Sequence, residues 1–156
     1  MAEAPQGPAA ASGADLQTFL IRAQYIKDFS FENPQAPEIY TKPSDEPRVD
    51  VNVDVAARPL AQENNYEVTL QINARADSGE STLFISELTY GGIFTVSGVP
   101  ENQVQPILLV EAPRQLFPFA RAIVANATRD CGFPPLIIQP LDFLKLYTEK
   151  AGPPKS

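Results

Sequence analysis

The chain contains no histidine and no tryptophan, and among its 156 residues there is one cysteine, Cys131. Without histidine it lacks the commonest general base and the commonest metal ligand. One cysteine forms neither an internal disulfide nor a thiolate zinc cage, which fits a reducing compartment. Apolar residues nowhere run long enough to cross a bilayer, so direct membrane insertion is not expected. Residues 1–14 are rich in Ala, Pro and Gly, and Glu3 is their only charged side chain. With neither a basic start nor an apolar centre, they do not read as a signal peptide, and a cytoplasmic location is expected. The expected organisation is a disordered tail over 1–14, one domain over 15–150 and a flexible tail over 151–156.

The remaining chemistry is thin. Asp28 and Glu32 share a strand parity four residues apart, which separates their backbones by about 13 Å. Paired catalytic carboxyls of glycosidases sit at most about 9.5 Å apart, and no nucleophile or metal ligand stands near. Asp50 and Asp54 fail on the same geometry. Gly91, Gly92 and Gly98 lack the spacing and following lysine of a phosphate loop, and suggest a bend in a long strand instead. Cys131 reads as a small packed residue at a helix end. The aromatics have no interleaved basic residues, so no nucleic-acid platform is expected. No enzyme activity and no cofactor follow from these residues.

Charge is unevenly spread. The net charge is −7; residues 1–100 hold 14 acidic and 6 basic side chains, residues 101–156 hold 5 and 6. The first two-thirds would therefore repel nucleic acid and attract a basic partner.

Four segments alternate with the period of two of half-buried strands. Phe19, Ile21, Ala23, Tyr25, Phe29 and Phe31 share one parity, interrupted by Lys27. Val49, Val51, Val53 and Val55 oppose Asp50, Asn52 and Asp54. Tyr66, Val68, Leu70, Ile72, Ala74 and Ala76 oppose Glu67, Thr69, Gln71, Asn73 and Arg75. Such regularity indicates antiparallel strands with one wet face. Asn33 to Pro47 is Pro-rich and too long for a hairpin, and suggests a crossover of Greek-key type between strands that need not be neighbours. Asp77-Ser78-Gly79-Glu80 is a tight turn between the third and fourth strands. In the fourth strand Leu83, Phe84 and Ile85 are consecutive and apolar, which asks for a second cover, expected from another subunit.

After Gly98 the period changes. Val104, Ile107 and Leu108 give a short helical piece ending near Ala112-Pro113. A second helix, starting at or just before Pro118, carries Leu116, Phe117, Ala120, Ile123, Val124 and Ala127 and ends at Cys131-Gly132. Asp142 caps a last helix with Phe143, Leu144 and Tyr147. Strands followed by helices imply an α+β domain. Two protein-facing surfaces are left: an acidic row of Asp28, Ser30 and Glu32 joined by Glu87, and an apolar groove from Pro37, Ile39 and Tyr40 with Phe143, Leu144 and Tyr147.

Three blocks carry a family resemblance: Tyr25-Ile26-Lys27-Asp28-Phe29-Ser30-Phe31-Glu32-Asn33-Pro34, then Gly91-Gly92-Ile93-Phe94, then the run from Phe117-Pro118-Phe119 through Cys131-Gly132-Phe133-Pro134-Pro135 to Gln139-Pro140-Leu141-Asp142-Phe143. In order and spacing they resemble the SecB family of bacterial protein-export chaperones. The resemblance implies a four-stranded antiparallel sheet with a crossover and helices on one face, assembled as a homotetrameric dimer of dimers. It implies a non-enzymatic chaperone that holds unfolded preproteins and delivers them to SecA, the translocase motor ATPase. Matched by motif, SecA docking falls on Asp28, Glu32, Ile85 and Glu87, and subunit pairing on Ser86, Leu88 and Tyr90. The short carboxyl end with Lys155 departs from relatives whose longer or acidic tails give a second motor contact. The alternative is an oligomeric scaffold or a small-ligand-binding protein without chaperone activity.

Overall fold

The computed structural model describes residues 16–42 and 46–151; the tail expected over 1–14, that expected over 151–156 except for Ala151, and Pro43 within the crossover lie outside the described residues. Four strands, β1 (Thr18–Glu32), β2 (Arg48–Pro59), β3 (Asn65–Ser78) and β4 (Ser81–Ser97), form one antiparallel sheet in the order β1-β4-β3-β2. The first two strands are thus the two edges, as the length of the Pro-rich connection suggests. Among its described residues that connection carries a 3-10 turn, Glu38–Tyr40. β3 and β4 meet at a two-residue turn, Ser78 opposite Ser81, where Gly79 takes a φ of 61° that other residues adopt only with strain.

Parity assigns the two faces. Val53, Val55, Val68, Leu70, Ile72, Leu88, Tyr90, Phe94 and Val96 face the helices and build the main core. The polar rows of β2 and β3 take the opposite face. β1 departs from its apparent alternation. Its register against β4 shifts between Ile21 and Ala23 and again between Ile26 and Asp28, leaving Arg22 and Lys27 as bulge residues. The two bulges cancel, so Phe19 and Phe31 face the helices, but Ala23 and Tyr25 between them are turned to the opposite face. The interruption at Lys27 is where the parity flips. Gly91 lies opposite Tyr25, and a Cβ there would sit 2.8 Å from the tyrosine ring, so this glycine serves close packing. Gly92 is equally confined, by Phe94 at 2.8 Å and Leu116 at 2.9 Å. The bending expected from this pair resides in the bulges of β1 across from it.

The doubly apolar stretch of β4 also has a local explanation. Between Ala76–Phe84 and Asp77–Thr82 the β3–β4 register skips Leu83. Leu83 and Phe84 consequently enter one small cluster with Ala74, Ala76, Phe31, Ile39 and Phe133. The chain's own crossover and loop cover this stretch, which removes the argument for a second subunit there.

The helices differ from expectation at their boundaries. α1 (Glu101–Pro106) passes through a π-helical turn, Ile107–Glu111, directly into α2 (Ala112–Asp130), with no break at Ala112-Pro113 and no new start at Pro118. Prolines lack the N–H and crowd the preceding turn, so they should end a straight helix. Here the wider π turn precedes Pro113, with the Ala112 N–H bonded to the Ile107 carbonyl. Burial of Leu108, Val110, Ala112, Leu116, Phe117, Ala120 and Val124 against β3 and β4 then outweighs the local cost. The end of α2 is as expected: Gly132 has a φ of 87°, and the Phe133 N–H returns to the Thr128 carbonyl at 3.1 Å. α3 (Phe143–Ala151) is capped by Asp142, whose Oδ1 accepts the Lys145 N–H at 3.0 Å.

Candidate functional site

On the face turned away from α2, Ser30 stands opposite Glu87, Glu32 opposite Ile85 and Asp28 opposite Thr89. Asp28, Ser30, Glu32, Ile85 and Glu87 therefore form one patch over two hydrogen-bonded strands, as sequence parity and motif together predict. Among the described residues, none of Asp28, Glu32 and Glu87 makes an ion pair. Ile85 and Glu87 also border a shallow depression that continues over Asn73 and Arg75 to Asp50. The Arg75 guanidinium is occupied by Asp77 at 3.1 Å and by Thr82 at 2.8 Å.

Ser86, Leu88 and Tyr90 belong to the other face. They are 0%, 0% and 7% exposed, beneath the helical segment, so in the single chain they do not form a surface for subunit pairing. The reason is parity: they alternate with Ile85 and Glu87, and the face left open belongs to the latter. Burial raises the Tyr90 phenol's pKa.

The residues expected to form one apolar groove are divided between two places. Ile39 packs in the small cluster with Phe84, while Tyr40 lies tilted against Phe133 and donates to the Cys131 carbonyl. Phe143 is 1% exposed and packs edge-on to Phe117 in the main core, with Tyr147 partly buried beside it. Leu144 alone of that helix trio is exposed, at 52%. Core demand consumed these aromatics.

An apolar groove does exist elsewhere. α2 lies over β3 and β4, leaving the inward-facing valines of edge strand β2 partly uncovered: Val49 is 39% and Val51 36% exposed. The extended segment 133–142 runs opposite them and presents Ile137, 63% exposed. Together with α3 they enclose an open groove of about 780 Å³. Thr128 sets one wall, since its hydroxyl accepts the Leu136 N–H at 2.9 Å while donating back to α2 carbonyls. The signals for this groove were the Pro134-Pro135 break, which forces an extended chain, and a polar residue ending the apolar stripe of α2.

A second feature had escaped parity altogether. Glu67 on β3, only 6% exposed, accepts hydrogen bonds from the Tyr25 hydroxyl, from Lys27 Nζ at 2.8 Å and from Arg58 Nε at 2.9 Å. The Lys27 and Tyr25 hydrogen bonds, in that order, hold the Glu67 carboxyl down at about 2, against the opposing effect of burial. Burial, then Glu67, pushes the Tyr25 hydroxyl up to about 12. A carboxyl depressed on folding stabilises the native state above its unfolded value of 4.5 and loses that contribution as pH falls toward 2. Tyr25, raised on folding, stabilises below pH 10 and loses its share as pH rises toward 12. Urea unfolding of the protein and of Glu67→Gln should thus show a stability gap at pH 7 that closes between about pH 4.5 and pH 2. A gap independent of pH would mean that the carboxylate charge is not what stabilises.

Residues 12–152 match the family model described as preprotein translocase subunit SecB. The chain is 47% identical to the protein-export protein SecB of Maricaulis maris, over 94% of this chain and 85% of the relative. It is 51% identical to that of Hyphomonas neptunium, over 81% and 75%. A SecB-like chaperone of Mycobacterium tuberculosis, solved in complex with an antitoxin peptide, shares the fold at a TM-score of 0.65 and 18% identity, over 79% of this chain and 90% of that one. With the family model and both relatives spanning most of its length, this chain belongs to the SecB family of protein-export chaperones.

Proposed function

We propose that this chain holds unfolded preproteins in the groove between β2 and residues 136–142, and passes them to SecA through the acidic face formed by Asp28, Glu32, Ile85 and Glu87. The observation that carries this reading is the opposition of the two surfaces. The groove uses the inward row of β2, and the acidic patch uses the outward rows of β1 and β4. Across three strand spacings, about 14 Å, plus the thickness of the sheet, one molecule holds a client and meets its motor without competition. An apolar trough open along its length suits an extended chain in many registers better than one small ligand. This favours the chaperone over a small-ligand-binding protein. A folded-partner scaffold would have no use for a trough of that shape. The reading is non-enzymatic and cytoplasmic, with residues 15–150 as one unit and the strand order supporting a crossover of Greek-key type. No helix among the described residues is long and apolar enough to cross a membrane.

Assembly as a homotetrameric dimer of dimers belongs to the same reading. Its support is the edge strand β1, whose Phe19, Leu20, Ile21 and Ile26 are 37–52% exposed, and Phe119 on α2 at 52%. Light scattering should give four chains of 17.0 kDa, about 68 kDa.

Client holding is tested directly. A stoichiometric excess should keep a denatured, slow-folding protein from precipitating, without nucleotide and with a negative heat-capacity change of binding. Val51→Asp should lose this protection, because an unpaired carboxylate in the trough must be desolvated by every client. Equal precipitation with and without the native protein would sink the chaperone reading.

A further inference from the structure

The acidic patch has a cation at its shoulder. Lys27 directly precedes Asp28, and the bulge that leaves Lys27 without a partner on β4 lets both residues project to the same sheet face. A free ammonium there would lie beside the first carboxylate of the patch and neutralise it. Instead Lys27 Nζ is drawn across β4 to Glu67 on β3, which also takes Arg58 from β2. Gly91 carries no side chain, so the Tyr25 ring lies over it and the tyrosine hydroxyl completes the Glu67 hydrogen bonds. The Glu67 side chain is 8% exposed, whereas Lys27 and Arg58 are 45% and 62% exposed. An ion pair is stronger where water is excluded, so a buried carboxylate outcompetes the solvated Asp28 for the same ammonium.

We propose that Glu67 acts as an internal sink for the Lys27 ammonium, holding it away so that Asp28, Glu32 and Glu87 stay unpaired for a basic partner. Glu67 is a positioning residue in this account: it determines which carboxylates the partner meets, without touching it. The inference rests on the docking role given above to the acidic face.

Two measurements on the full chain test it. The first follows the Asp28 carboxyl by carbon NMR titration. In Glu67→Gln the released Lys27 should move onto Asp28 and lower its titration midpoint; in Glu67→Gln with Lys27→Met the midpoint should return. The second is calorimetry at low salt with a peptide from the tail of SecA, the basic segment that the family resemblance implies for docking. Glu67→Gln should weaken binding up to about fivefold, the worth of one exposed pair, and the added Lys27→Met should restore it. A purely structural role for Glu67 predicts no rescue, since the second substitution removes more of the network. An unmoved Asp28 midpoint, or a double variant as weak as the single, overturns the inference. If the midpoint moves and returns but neither these variants nor Asp28→Asn changes peptide affinity, the sink stands and the docking reading fails.

Discussion

Reversal of Asp28, Glu32 and Glu87 to lysine is expected to abolish SecA binding while leaving the fold, the assembly and client holding intact. The three carboxylates lie on the open face of β1 and β4, unpaired among the described residues. An exposed ion pair is worth only about 0.2–1 kcal/mol, so no single substitution should suffice. Three reversals remove three attractions and add three repulsions, a fall in affinity on the order of a hundredfold or more. None of the three side chains packs in the core, so unfolding should be little affected. Binding by the native protein should also weaken with salt, because exposed charges are screened over roughly 8–10 Å. Titration calorimetry against the SecA tail peptide reads both effects. Unchanged affinity would put the docking surface elsewhere, and loss of the folded assembly would make these residues structural.

Leu88→Asp should prevent folding outright. Leu88 is fully buried between Phe29 on β1 and Ile72 on β3, beneath the helical segment. Removing a buried leucine side chain costs about 2–5 kcal/mol, and an unpaired buried carboxylate adds several more. The sum approaches the whole stability of a typical domain, about 5–15 kcal/mol. Circular dichroism should show an unfolded or insoluble product, whereas Leu88→Ala should stay folded with the smaller loss alone. A folded Leu88→Asp that merely dissociates would return Leu88 to a subunit interface, the role its motif implied.

The amino-acid sequence by itself determined the class of protein and the sides of β2 and β3. Alternation in β2 and β3 assigned each side chain to the correct face, because a pleated strand allows no other periodicity. The acidic patch was legible for the same reason, since Asp28, Ser30 and Glu32 lie beyond the last bulge of β1. The three motif blocks were enough to indicate the family. The missing histidines and cysteine pairs removed whole classes of chemistry from consideration.

What tertiary structure alone decided were the departures from regularity. Two bulges in β1 and one at Leu83 change which side chains share a face, and a bulge is a property of two paired strands that one strand's sequence does not encode. The cation sink at Glu67 depends on the first pair, since Tyr25 reaches it only from the flipped segment. The continuous passage of α1 through a π turn into α2 was set by burial on the sheet, which overrode three prolines. The groove likewise arose from what the helices failed to cover. Phe143 and Tyr147 were apolar enough to line it, but the core had first claim on them, and the valines of an edge strand were left exposed instead.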